Sequence, residues 1–156
     1  MASPLGTAVP SRTAAPLRTA ISLGGDDTCI AEARHHATDF LSRARTDHGV
    51  DVSARAVDLT QLVVSELVTN ARKYAPGPLW MDLCIADGVV EVTVRDSARV
   101  QPVARPVDPR RVGQHGLEIV MAVAQAFQVR LEPSGKSITA RIALADAPVG
   151  GVRRAD

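Results

Sequence analysis

Two polar side chains four residues apart, Glu66 and Asn70, stand in a segment that is otherwise strongly apolar. At about 100° per residue, a helix over this segment puts Leu59, Leu62, Val63, Leu67, Ala71 and Tyr74 on one arc. Gln61, Ser65, Thr69 and Arg72 fall opposite, on the expected solvent side. Glu66 and Asn70 project from the apolar arc itself, with Lys73 at its edge. Residues at i and i+4 share a helix face, so both groups aim at one spot. A carboxylate and an amide oxygen there suit a hard cation such as Mg²⁺, or an ordered water. A buried carboxylate without a partner is destabilising by several kcal/mol. The placement therefore calls either for a ligand or for a neighbouring loop that hydrogen-bonds both groups.

The elements that must hold this pair follow from periodicity and breakers. Residues 1–19 are rich in Ala, Pro, Ser and Thr and read as a disordered leader. A short strand is expected over 21–23, broken by Gly24 and Gly25. Asp27 or Thr28 caps a helix reaching Asp47, with Ile30, Ala33, Ala37, Phe40 and Leu41 toward the core, and Gly49 ends it. The second helix covers about 53–74 and stops at Pro76-Gly77-Pro78. Strands over 79–85 and 89–95 flank Asp87-Gly88, a strong hairpin signal. The segment 97–112, with its prolines, is a loop. A third helix is expected over 116–127. Strands over 129–132 and 137–144 then surround Ser134-Gly135, and a loose tail runs over 145–156. The order gives an α+β two-layer sandwich, with a mixed, mostly antiparallel sheet covered on one face by helices.

Bulk properties narrow the function classes. The chain has 156 residues with a formal net charge of +1, which fits one domain and no polyelectrolyte partner. Cys29 and Cys84 lack metal or disulfide spacing and read as two buried free thiols. No apolar run reaches the roughly 18 residues of a membrane span, and the N-terminus lacks a signal-peptide core. A cytoplasmic protein acting without nucleic acid or membrane is the expectation. His35-His36 lacks the surroundings of a phosphoacceptor and belongs to the wetter face of the first helix.

The stretch Ser65-Glu66-Leu67-Val68-Thr69-Asn70-Ala71-Arg72-Lys73-Tyr74-Ala75 resembles the N box of the ATPase fold shared by sensor histidine kinases, gyrase B and Hsp90. Gly113-Gln114-His115-Gly116-Leu117-Glu118-Ile119-Val120 resembles its second glycine box. Gly135-Lys136-Ser137 resembles its closing Gly-x-Thr/Ser element. The three occur in the family's order within residues 20–144. The likeness is nearest to the single-domain anti-sigma-factor serine kinases and their actinobacterial relatives. It implies the histidine-kinase-type (Bergerat) fold, with ATP and Mg²⁺ as ligands. By the resemblance, Asn70 holds Mg²⁺ and Glu66 is the catalytic general base or positions the attacking group. Lys73 approaches a phosphate. Gly113, His115, Gly116 and Leu117 line the nucleotide, with backbone N–H groups at a helix start facing phosphates. Asp96 meets the adenine amino group, and Ser137 reaches the adenine side.

The first glycine box departs from the family's DxGxG. Asp96 is followed by Ser97, Ala98, Arg99 and Val100, so both glycines are missing. The loop in the place of the family's ATP lid carries Arg99, Arg105, Arg110 and Arg111 against Asp108, which suits phosphates or an acidic partner. The leading expectation is a Mg-ATP-dependent protein serine kinase and anti-sigma factor of a partner-switching system. Its partners would be a sigma factor or an anti-sigma-factor antagonist, and the resemblance allows a homodimer. The alternative is a non-catalytic adaptor, nucleotide-bound or nucleotide-free, that acts by protein contact.

Overall fold

The structure is a computed structural model that describes residues 15–24, 26–74, 77–97 and 112–146. For Tyr74 and residues 112–115 it describes the backbone path alone.

Among the described residues, five strands and three helices follow in the order β1 (Leu17–Leu23), α1 (Cys29–His48), α2 (Ala54–Tyr74), β2 (Leu79–Ala86), β3 (Val89–Arg95), α3 (Val112–Val123), β4 (Ala126–Glu132) and β5 (Gly135–Ala143). The strands form one sheet in the order β1-β2-β3-β5-β4. Every described pairing is antiparallel, so the sheet is more uniform than the mixed one expected. The β2–β3 turn confirms the hairpin signal. Asp87 and Gly88 have φ of 53° and 76°, the two left-handed positions that the tightest hairpin turn requires.

Side chains alternate across each strand. Leu79, Met81, Leu83 and Ile85 of β2, Val90, Val92 and Val94 of β3, and Ile138, Ala140 and Ile142 of β5 are buried beneath the helices. The other face carries Asp82, Cys84, Glu91, Thr93, Arg95, Thr139 and Arg141. It is laced by Arg95–Asp82 at 2.8 Å and Arg141–Glu91 at 2.9 Å. Cys84 is thus half-buried on this polar face, not in the core as expected, whereas Cys29 is buried; neither is in a disulfide.

Helix α2 is the centre of the packing. Val63, Val64, Leu67, Val68 and Ala71 are all buried, because α2 packs on the sheet as the middle helix, with α1 on one side and α3 on the other. The side expected to face solvent is largely covered. Gln61 Nε2 donates to Thr38 Oγ1 of α1 at 2.8 Å. Arg72 reaches Asp27, which precedes α1, at 3.2 Å. An amphipathic pattern reports only the strongest apolar face. It misses a second interface built from Thr, Gln and Val.

Three boundaries move. Strand β1 starts at Leu17, so Leu17 to Thr19 belong to the sheet and not to the leader. Helix α3 starts four residues earlier than expected, at Val112, and ends at Val123. Ala126 and Phe127 belong to β4, where Phe127 sits opposite Ala140. The apolar run 116–127 satisfies either period. Pairing with β5 decides it, and the Gln125 N–H donating to the Arg141 carbonyl at 2.7 Å fixes the junction. Most of the leader, the arginine-rich segment 98–111 and the tail beyond Asp146 lie outside the described residues.

Candidate functional site

Helix α2 begins firmly. The Ala56 N–H donates to Ser53 Oγ at 2.9 Å, an N-cap. The Ser53 N–H donates to the Leu144 carbonyl at 2.8 Å, which ties the helix start to the end of β5. From this anchor the helix carries Glu66 and Asn70, on one face, to its C-terminal half. Asn70 is 4% exposed. Among the described residues its side-chain amide has no hydrogen-bond partner. An amide buried without a partner is unfavourable by about 1–3 kcal/mol and is uncommon enough to need a reason. Glu66 is half-buried one turn away, and Lys73 is exposed in the last turn.

Helix α3 closes on this face from the side. Gly116 is buried against the Glu66 carboxylate. A Cβ built on Gly116 would collide with Glu66 Oε1 and stand 3.3 Å from its Cδ. Because α3 begins at Val112, Gly116 lies in its second turn, where its N–H occupies an intrahelical bonding position. Gly113 lies in the first turn, among the N–H groups that a helix leaves without an internal partner. This reverses the expected order, in which Gly116 opened the helix. Leu117 is half-buried against the core. The side chain of His115 lies outside the described atoms.

A second cluster forms where β3 ends and β5 begins. Asp96 is 5% exposed. Its Oδ1 accepts the Lys136 N–H at 3.1 Å, and its own N–H donates to the Lys136 carbonyl at 2.9 Å. Gly135, at φ 150°, makes this possible. A Cβ there would run into the Asp96 carbonyl oxygen and approach Ser97 Cα within 3.2 Å.

Ser137 is not brought to the same side. Its register opposite Arg95 puts it on the sheet face away from the helices, with Thr139 and Arg141. Lys136, one residue earlier, alternates onto the helix-covered face and was not singled out from sequence. The available signal was its rarity, as one of two lysines in the chain.

A cleft of about 520 Å³ lies elsewhere, lined by Ser53, Ala56, Leu59, Val123 and Ile142. Leu59 and Asn70 are eleven residues apart along α2, which is roughly 16 Å at a helix's rise per residue. None of the expected site residues borders this cleft, so volume alone does not locate the chemistry.

Glu66, Asn70, Gly113 and Gly116 thus gather on two packed helices, and Asp96, Gly135 and Lys136 gather at one end of the sheet beneath. Residues 26–142 match the model of the histidine kinase-like ATPase domain. A Mycobacterium tuberculosis protein, whose structure covers RsbU and RsbW domains, is similar in fold at a TM-score of 0.60 and 18% identity. The match covers 86% of this chain and 34% of that one, so the chain spans about a third of its length. The Acinetobacter baumannii histidine kinase AdeS is also similar, at a TM-score of 0.46 and 16% identity over 82% of this chain and 68% of that one. No curated protein matches the sequence. With the family model spanning residues 26–142, most of the chain, the chain belongs to the histidine kinase-like ATPase domain family, in which ATP is the ligand.

Proposed function

We propose that the chain is a Mg-ATP-dependent protein serine kinase of the partner-switching type, which phosphorylates an antagonist protein and sequesters a sigma factor. The observation that carries this reading is the buried Asn70 amide, which lacks a partner among the described residues. Two further features support it. Gly113 lies in the first turn of α3, where a helix leaves its N–H groups without an internal partner. The fold is similar to a structure that contains an RsbW domain.

Asn70 would hold Mg²⁺ through its amide oxygen. Among the described residues no cluster of three His, Cys, Asp or Glu could hold a metal. The ion would therefore take its remaining ligands from phosphate oxygens and water, as Mg²⁺ commonly does. When bound, it would supply charge neutralisation at the phosphates. Glu66 orients the substrate serine hydroxyl and accepts its proton as the oxygen bonds to the γ-phosphorus. The bond from that phosphorus to the β–γ bridging oxygen breaks, and ADP leaves. The α3 N-terminus and Lys73 bring positive charge to the phosphates. Asp96 receives the adenine amino group.

The missing first-box glycines favour a second reading, a nucleotide-binding adaptor without turnover. Transfer from γ-labelled ATP to serine in a purified antagonist domain separates the two. Glu66→Ala is expected to bind ATP like the parent and to transfer at least 100-fold more slowly. Equal transfer rates would remove Glu66 from its role. ATP binding with no transfer by the parent would leave the adaptor.

A further inference from the structure

Gly116 is an anomaly within its own helix. Glycine is a poor helix former beside alanine, and Gly116 is the fifth of twelve residues in α3. Its backbone does not call for glycine. The described glycines with positive φ are Gly49, Gly77, Gly88 and Gly135, and Gly116 is not among them. Its N–H belongs to the intrahelical ladder, so close approach of the backbone to a phosphate does not account for it either. What accounts for it is Glu66. The carboxylate occupies the space a Cβ would need, with Cδ at 3.3 Å from that position, while the Glu66 Cβ stands at an ordinary 3.8 Å.

We infer that Gly116 is a positioning residue: its bare Cα is the seat that holds the Glu66 carboxylate between α2 and α3. The carboxylate has no ion pair or hydrogen bond among the described residues that would fix it otherwise. Packing against Gly116 restricts its rotamers, and this keeps it on the face it shares with Asn70. The steric part of the inference stands on the two helices alone. The catalytic part rests on the proposed role of Glu66.

A double-mutant cycle tests both parts. Gly116→Ala is made in the parent and in a Glu66→Ala background, and melting temperature, ATP affinity and phosphoryl transfer are measured for each. In the parent, the alanine methyl pushes aside the carboxylate, the far end of a flexible side chain, so Gly116→Ala lowers the melting temperature only slightly. It also lowers kcat at least tenfold, with KM for ATP changed less than threefold. In the Glu66→Ala background the same substitution raises the melting temperature, because the clash is gone and alanine favours the helix. Glu66→Asp draws the carboxylate back by one methylene and restores part of the melting temperature and turnover of Gly116→Ala.

Equal shifts of melting temperature in both backgrounds overturn the inference, whether or not the parent turns over ATP. So does loss of ATP affinity with kcat preserved, which would return Gly116 to a phosphate contact. Thermal coupling in a parent that transfers no phosphate keeps the seat and removes the kinase reading instead.

Discussion

Asp96 joins a contact within the fold to a proposed role toward the ligand. Its Oδ1 accepts the Lys136 N–H, which stitches the end of β3 to the start of β5, and the same carboxylate is the expected partner of adenine. The two roles separate by substitution. Asp96→Ala removes the acceptor from a part-buried N–H and is expected to destabilise by about 1 kcal/mol in urea unfolding. Asp96→Asn keeps an oxygen for Lys136 but turns an NH₂ toward the adenine amino group. It should unfold within about 1 kcal/mol of the parent, while ATP affinity falls roughly tenfold, the worth of about 1.4 kcal/mol. Asn retaining full affinity would dissociate Asp96 from adenine. The sequence marked Asp96 by its place after a strand. The Lys136 bond was hidden because it joins residues forty positions apart, and local pattern carries no register. The face of Ser137 was hidden for the same reason, because it depends on pairing with Arg95.

At the scale of elements, hydrophobic period located all three helices and the central hairpin, and it placed Glu66 and Asn70 on one face of the right helix. It failed where one apolar run satisfies two periods. The stretch from Gly116 to Phe127 reads as continuous helix until β5 supplies a partner for Ala126 onward. It also undercounted contacts of α2, whose Gln61 and Arg72 face α1 and its leading turn. Gly135 is the element-scale feature with the sharpest consequence. It joins φ of 150° to a backbone approach that a Cβ would obstruct. Gly135→Ala is expected to destabilise by about 2 kcal/mol or more, from strain and from parting Asp96 from Lys136. A loss below about 0.5 kcal/mol, the size of an ordinary surface change, would contradict that geometry. Ser53→Ala removes the cap of α2 and should cost about 1 kcal/mol, measured the same way.

The described residues form one helix-covered sheet, and no described helix is long and apolar enough to cross a membrane. Its edge strand β1 is held to α1 partly through His36, whose Nε2 lies 3.2 Å from Thr19 Oγ1. Burial lowers the His36 pKa, with Arg43 acting in the same direction and Asp39 opposing. The unfolded chain therefore binds the proton more readily than the folded one. Stability should be full above the ordinary histidine range and decline as pH falls through about 6.5 toward the lowered folded value. His36→Gln should flatten the difference in urea midpoint between pH 7.5 and pH 5.5; an unchanged difference would assign it to other groups.

The claim on which the functional account depends is that the buried Asn70 amide awaits a Mg-nucleotide. Calorimetric titration with ATP, with and without Mg²⁺, addresses it directly. The account predicts saturable, Mg²⁺-dependent binding in the parent that weakens at least tenfold in Asn70→Ala, while Asn70→Ala still folds. Absence of heat at millimolar Mg-ATP, or equal affinity in Asn70→Ala, would contradict it.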